Sequence, residues 1–213
     1  MNVLLGIVGH SPVLDDYPLG PQLMKNLEGR DWDEINIKIE NMTWSPIHVT
    51  QRLQDEKLKF DRAVLVGISS ECNLPGKVLS YKWEGGIIPE VKIQERIYEG
   101  VTGVVSLENT LIIGDYFKIW PDEIFTVEVD MYPDTFGELV MLDNLGSSRK
   151  KELKEIIGFD PIETRDSIEN AAYMLGCFGR NASSDILEKK AQDVPHPELF
   201  IKNSFSNSTT TIN

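Results

Sequence analysis

The chain has 213 residues, 41% apolar and 26% charged, which is enough for one α/β domain with a sizeable core. Its formal net charge of −13 leaves no phosphate-neutralising excess and argues against a nucleic-acid or anionic-membrane binder. No stretch approaches the roughly 20 apolar residues of a bilayer-spanning helix, no basic leader precedes the first strand, and two cysteines, Cys72 and Cys177, suit a reduced cytoplasmic setting rather than a disulfide scaffold.

Val3, Leu4, Leu5, Ile7 and Val8 form a short apolar run, the pattern of a strand buried on both faces. Gly6 and Gly9 allow close backbone approach at its end. The loop that follows delivers Asp15 and Asp16 ahead of Pro18, Gly20 and Pro21, and Leu19, Leu23, Met24 and Leu27 then recur at helical spacing. Asp15 and Asp16 read either as caps of that helix or as carboxylates where open α/β sheets place their ligands. Ile35, Ile37 and Ile39 alternate with polar residues as in a strand, and Ser45-Pro46 starts a short helix containing Val49 and Leu53. Residues 63–68, AVLVGI, form a second fully apolar strand, followed by the loop SSECNLPG at 69–76.

Residues 77–83 read as another strand, placed at an edge, and 88–101 as a weak helix. Ser106 is the N-cap candidate of a helix running to Phe117. Trp120 to Glu123 turns into a strand over 124–129, ended by a loop at 131–138. Beyond it the pattern predicts helices over 147–157, 164–176 and 183–191, then a polar tail at 201–213 with the composition of a disordered segment. The order β-α-β-α-β predicts three α/β/α layers around a mostly parallel sheet of about five strands, in one domain over 1–200, with 138–200 as a helical extension.

The opening run, Gly6-Ile-Val-Gly9-His10 followed by Asp15-Asp16 and Gly20, resembles that of the hydrogenase maturation proteases, which trim the large subunit of nickel-iron hydrogenases. Their opening reads strand, G-x-G-N, D-D or D-E, and G; His10 stands where they carry Asn. The helix, the Trp120-Pro121-Asp122-Glu123 turn and the acidic strand end extend the resemblance over residues 1–135. It implies a phosphorylase/hydrolase-like fold, endopeptidase action on a partner large subunit, nickel carried by that substrate, and Asp16 as catalytic carboxylate and nickel ligand. The family's other two ligands, a carboxylate and a histidine, fall on Gly67 and Gly103, and no histidine lies anywhere in 91–110.

Two readings follow. In one, the site is rebuilt from Asp16, His10 and Glu71, two carboxylates and an imidazole. In the other, the chain is a non-catalytic relative that binds a partner protein in assembly, through a groove lined by Asp15, Gly67, Ser69, Ser70, Gly103 and Asp134. The plainer reading of Glu71 is a solvated loop charge, and of His10 a loop side chain bonded to backbone. Ser69-Ser70 lacks a G-x-S-x-G context, a Cys72–His10 thiol pair competes with simple packing of the cysteine, and no P-loop or complete dinucleotide fingerprint is present.

Overall fold

The computed structural model describes residues 1–69, 73–132, 135–143, 154–155 and 157–194. β1 (Asn2–Ile7) is covered on both faces, so its apolar run is continuous: Val3, Leu5 and Ile7 enter one core layer and Leu4 the other. α1 (Pro21–Gly29) opens on a proline, whose missing N–H costs nothing in a first turn, and buries Leu23 and Leu27. β2 (Asn36–Asn41), α2 (Pro46–Asp55), β3 (Arg62–Ile68), β4 (Val78–Trp83) and α3 (Glu90–Val101) follow. α4 (Leu107–Tyr116) is capped by Ser106, whose hydroxyl accepts from Asn109 N at 3.1 Å, as its sequence signal requires. β5 (Glu123–Val129), α5 (Thr135–Asp143) and α6 (Pro161–Phe178) complete the larger elements, with Asp160 capping α6.

With a short last strand β6 (Leu187–Lys189), the sheet order is β2-β1-β3-β5-β4-β6. β1, β2, β3 and β5 are parallel, whereas β4 runs antiparallel to β5 and β6 parallel to β4. α1, α5 and α6 cover one face and α2, α3 and α4 the other, giving the expected three layers. Among the described residues no helix is long and apolar enough to cross a membrane.

Three expectations are corrected. β4 lies inside the mostly parallel six-stranded sheet rather than at its edge. Residues 183–191 do not form a helix. Asp185 N donates to the Ser183 hydroxyl, a local turn bond that competes with helix formation, and β6 (Leu187–Lys189) then pairs with β4. The loop expected over 131–138 is already helical from Thr135. Of the helix expected over 147–157, Lys154, Glu155 and Ile157 are helical, and the remainder, like the tail at 201–213, lies outside the described residues.

Two cations, the buried Arg62 and the half-buried Lys189, tie the C-terminal third to the sheet. Arg62, at the start of β3, donates from Nη1 to the carbonyls of Leu175 (3.1 Å) and Gly176 (2.7 Å) and pairs with Glu123. A cation is favoured at these last carbonyls of α6. Gly179, at φ +55°, leaves room for the guanidinium; a Cβ there would stand 3.0 Å from Arg62 Nε. Lys189 on β6 reaches both carboxylate oxygens of Glu128 at 2.8 and 2.7 Å, and that carboxylate side chain is only 1% exposed. Removing the ammonium strands a buried charge. Lys189→Ala is expected to cost about 3–5 kcal/mol at neutral pH, and Lys189→Met with Glu128→Leu to recover most of it. Urea denaturation of the three proteins checks this; an unchanged midpoint for Lys189→Ala would show that β6 is held by other contacts.

Candidate functional site

The chain leaves β1 through α1 on one face of the sheet and enters β2 on one side of β1; after β2 it crosses the other face through α2 and enters β3 on β1's opposite side. This is a topological switch point, and the crevice beyond the carboxyl ends of β1 and β3 is the usual ligand position in open α/β sheets. The loop 8–20 folds tightly beside it: Val8 N donates to Val66 O at 2.8 Å, Ser11 N to Leu19 O at 3.1 Å and Gly20 N to Tyr17 O at 2.9 Å. The Tyr17 carbonyl oxygen stands 2.8 Å from where a Cβ of residue 20 would lie, so this closure requires glycine. Tyr17 is packed inside the loop, where burial pushes its phenol up to about 12.

Asp15 is exposed and Asp16 half-buried on this loop. Neither caps α1: the N-cap is Gly20, and no side chain bonds there. Arg165 on α6 donates to the Asp15 carbonyl at 3.4 Å.

His10 is 7% exposed. The Asn41 carboxamide oxygen accepts from Thr43 N (3.0 Å) and from the Thr43 hydroxyl, which turns the amide nitrogen Nδ2 towards His10 Nδ1 at 3.1 Å. Nδ1 is therefore the acceptor, and the neutral ring carries its proton on Nε2. Nε2 is buried and makes no well-formed hydrogen bond, the Gly20 backbone approaching the ring only loosely. Burial lowers the imidazole pKa from its ordinary value, and the Gly20 backbone, which favours the charged ring, opposes this only in part.

Ser69 continues from β3 with its N–H donated to Val129 O at 2.9 Å. Ser70, Glu71, Cys72 and Asp134 lie outside the described residues. Gly67 is not the floor of an open groove: it is buried under Leu107, whose Cβ lies 3.0 Å from where a side chain would start. Gly103 is exposed in the turn after α3 at φ +94°, a backbone conformation that suits glycine, with nothing against it.

A carboxylate does stand beside Gly67, one strand over: Glu128 is its register partner on β5. Burial raises the Glu128 pKa, while Lys189 and the Thr126 hydroxyl at 2.8 Å hold the charged form. Both its oxygens are occupied by Lys189, so it offers no free ligand. Glu108 and Asn109 on α4 and Arg96 on α3 extend this buried polar layer, with Arg96 Nη1 donating to Asn109 Oδ1 at 2.8 Å. Among the described residues no three His, Cys, Asp or Glu side chains are grouped to hold a metal ion.

Asp130 is the residue that sequence reasoning missed. It ends β5's apolar run, buried, and its Oδ2 accepts from Asn73 N (3.3 Å) and Leu74 N (3.2 Å), holding the β3–β4 loop against β5. Its other oxygen, Oδ1, is buried without a well-formed hydrogen bond, as are Ser11 Oγ, His10 Nε2 and Thr135 Oγ1. All four follow the carboxyl ends of β1 and β5, the strands flanking β3. The same edge carries Val13, Trp44, Leu74 and Tyr132 as exposed large apolar side chains, one on the loop after each parallel strand. The signal for Asp130 was a single acid closing a strand, which is too common a pattern to stand out.

No protein-family model matches the chain, and no curated protein does. Among solved structures it is similar to the hydrogenase 2 maturation peptidase from Thaumarchaeota archaeon SCGC_AB-539-E09, with a TM-score of 0.33 and 16% identity, over 61% of this chain and 79% of that one.

The His10 environment sets a pH dependence. A folded-state pKa below the unfolded value of 6.5 means that the unfolded chain binds the proton first, so this contribution to stability is complete above that value and is lost as pH falls through the lowered one. Denaturation between about pH 7 and pH 5 should show a steeper loss for the wild type than for His10→Gln. Equal slopes would show that the ring titrates as it does in the unfolded chain.

Proposed function

We propose that this protein is a maturation-peptidase-like protein that receives a polypeptide segment of a protein partner in the crevice beyond β1 and β3. The observation that carries this reading is the pairing of buried, unpartnered polar atoms with an exposed apolar rim on the same edge. Buried polar groups ordinarily find partners, and a polypeptide supplies N–H and C=O groups together with apolar side chains. In this reading His10 Nε2–H donates to the segment, Asp130 Oδ1 accepts from it, Val13, Leu74 and Tyr132 pack on it, and Asp15 and Asp16 favour a basic stretch. The resemblance of residues 1–135 names the partner class as a nickel hydrogenase large subunit, with nickel carried by that substrate. The setting proposed is cytoplasmic, in keeping with Cys177 as a free thiol.

The described residues do not fit a resident metal: the His10 lone pair faces Asn41, Glu128 is held by Lys189, and glycines stand at 67 and 103. The endopeptidase reading is favoured by one observation, a half-buried Asp16 on the loop that flanks the crevice, where a carboxylate could take a proton from water.

The test is calorimetric titration of wild type and Asp16→Ala with nickel and cadmium, beside binding of a synthetic C-terminal segment of a nickel hydrogenase large subunit. Peptide binding that weakens at least about tenfold in Tyr132→Ala, without metal binding by the free protein, is the expected result. Metal binding at about micromolar concentration that vanishes in Asp16→Ala, with cleavage of the nickel-loaded precursor, would replace this reading with the endopeptidase. No peptide binding by the wild type would overturn the proposal.

A further inference from the structure

A second interaction surface lies away from the crevice, on the side edge of the sheet. Among the described residues β2 is a terminal strand, paired only with β1. Asn36 N donates to Met1 O at 3.0 Å and Met42 N to Ile7 O at 2.8 Å. By the two-residue alternation of a parallel ladder, residues 36, 38, 40 and 42 turn their backbone groups to β1, and Ile37, Ile39 and Asn41 turn theirs outward. The edge carries no proline, no bulge and no covering element among the described residues; its guards are the charged side chains Lys38 and Glu40. Ile37 and Ile39 are only half-buried on one face of it. On the other face, a cavity of about 250 Å³ opens between β2 and α2, lined among others by Lys38, Glu40, Met42, Val49 and Arg52.

We propose that a second copy of this chain pairs with this edge, antiparallel, about a two-fold axis at Ile39. Charge and register together select this occupant. With the axis at Ile39, Ile39 meets its own copy and Ile37 meets Asn41 of the second copy. All of these are outward-facing residues, so each meeting is a mutually hydrogen-bonded pair. The intervening non-hydrogen-bonded positions, where side chains approach most closely, then bring Lys38 opposite Glu40 of the second copy, twice by symmetry. Within one chain Lys38 already contacts Glu40 at 3.1 Å and also pairs with Glu56, and Arg52 contacts Glu40 at 2.6 Å. Pairing would merge the two sets into one alternating network over the two cavities. A shift of the axis by one residue in either direction keeps the outward groups opposed but places like charges across it, Lys38 on Lys38 or Glu40 on Glu40. The contact is isologous and closes at two copies, because each edge is consumed by its partner.

The experiment is sedimentation equilibrium of the full-length protein, with disulfide trapping of two single-cysteine insertions. The wild type should double its mass with rising concentration. Ile39→Lys puts two ammonium groups at the axis and leaves the Lys38, Glu40, Glu56 and Arg52 contacts in place; it should weaken association at least about tenfold while keeping the wild-type circular dichroism. Ile39→Cys should form an intermolecular disulfide under diamide beyond the wild-type background, since opposed residues there lie about 5.5 Å apart, within disulfide reach. Ile37→Cys should not, being roughly 14 Å from its copy in this register. A wild type that stays monomeric at all concentrations, or Ile37→Cys crosslinking as well as Ile39→Cys, overturns the proposal. Should Ile39→Lys fail to fold, the two cysteine variants decide alone. Loss of peptide binding in Tyr132→Ala is read on a different edge and leaves this result untouched.

Discussion

Coverage of the parallel strands on both faces is the constraint from which most of this structure follows. β1, β3 and β5 sit between two helical layers, so nearly every side chain on them must be apolar and packed. Polar chemistry is thereby displaced to the strand ends, and at the carboxyl end the loops after β1 and β5 bring His10, Ser11 and Asp130 to one edge. The exceptions inside the sheet, Thr126 and Glu128, are tolerated because they bond to each other and to Lys189 from the added strand β6. A buried carboxylate needs such partners, since burial alone pushes it towards its neutral form.

The same packing explains the glycine at position 67 within β3. Leu107, first residue of α4, lies directly over Gly67, so the helix approaches the sheet where a side chain would otherwise project. Close helix–sheet packing and a functional side chain at 67 are therefore alternatives, and this chain has taken the first. Gly103 is different in kind: its positive φ serves the turn between α3 and α4 and leaves open space around it. The carboxyl edge carries polar groups, but among the described residues they do not converge as metal ligands. His10 illustrates this, because Thr43 orients Asn41 and Asn41 in turn fixes which ring nitrogen holds the proton.

Legibility of the fold tracked the strength of local patterning. The apolar runs at 3–8 and 63–68, the alternation at 35–39 and the Ser106 cap each reflect a local or two-sided burial requirement, and each element formed where its pattern stands. Residues 183–191 failed for the opposite reason. Their charged, mixed composition carries no strong period, and strand formation there depends on an open β4 edge and on a buried Glu128 more than 60 positions upstream. For the site, the loops after β1 and β3 were legible from strand-end position alone. Asp130 was not, since its importance lies in backbone donors at 73 and 74 that only the fold brings to it.

By itself the sequence determined the three-layer α/β class, the neighbouring placement of the strands at 3–8 and 63–68, and the delivery of Asp15 and Asp16 to the loop beside them. These follow from periodicity, glycine and proline placement, and chain order, all of which are local. Only the tertiary structure decided that the two aspartates do not cap α1, that Gly67 is packing rather than groove, which nitrogen of His10 carries the proton, and that β2 is a terminal strand among the described residues. Each of those depends on what lies across space from a residue, and a sequence records neighbours along the chain only.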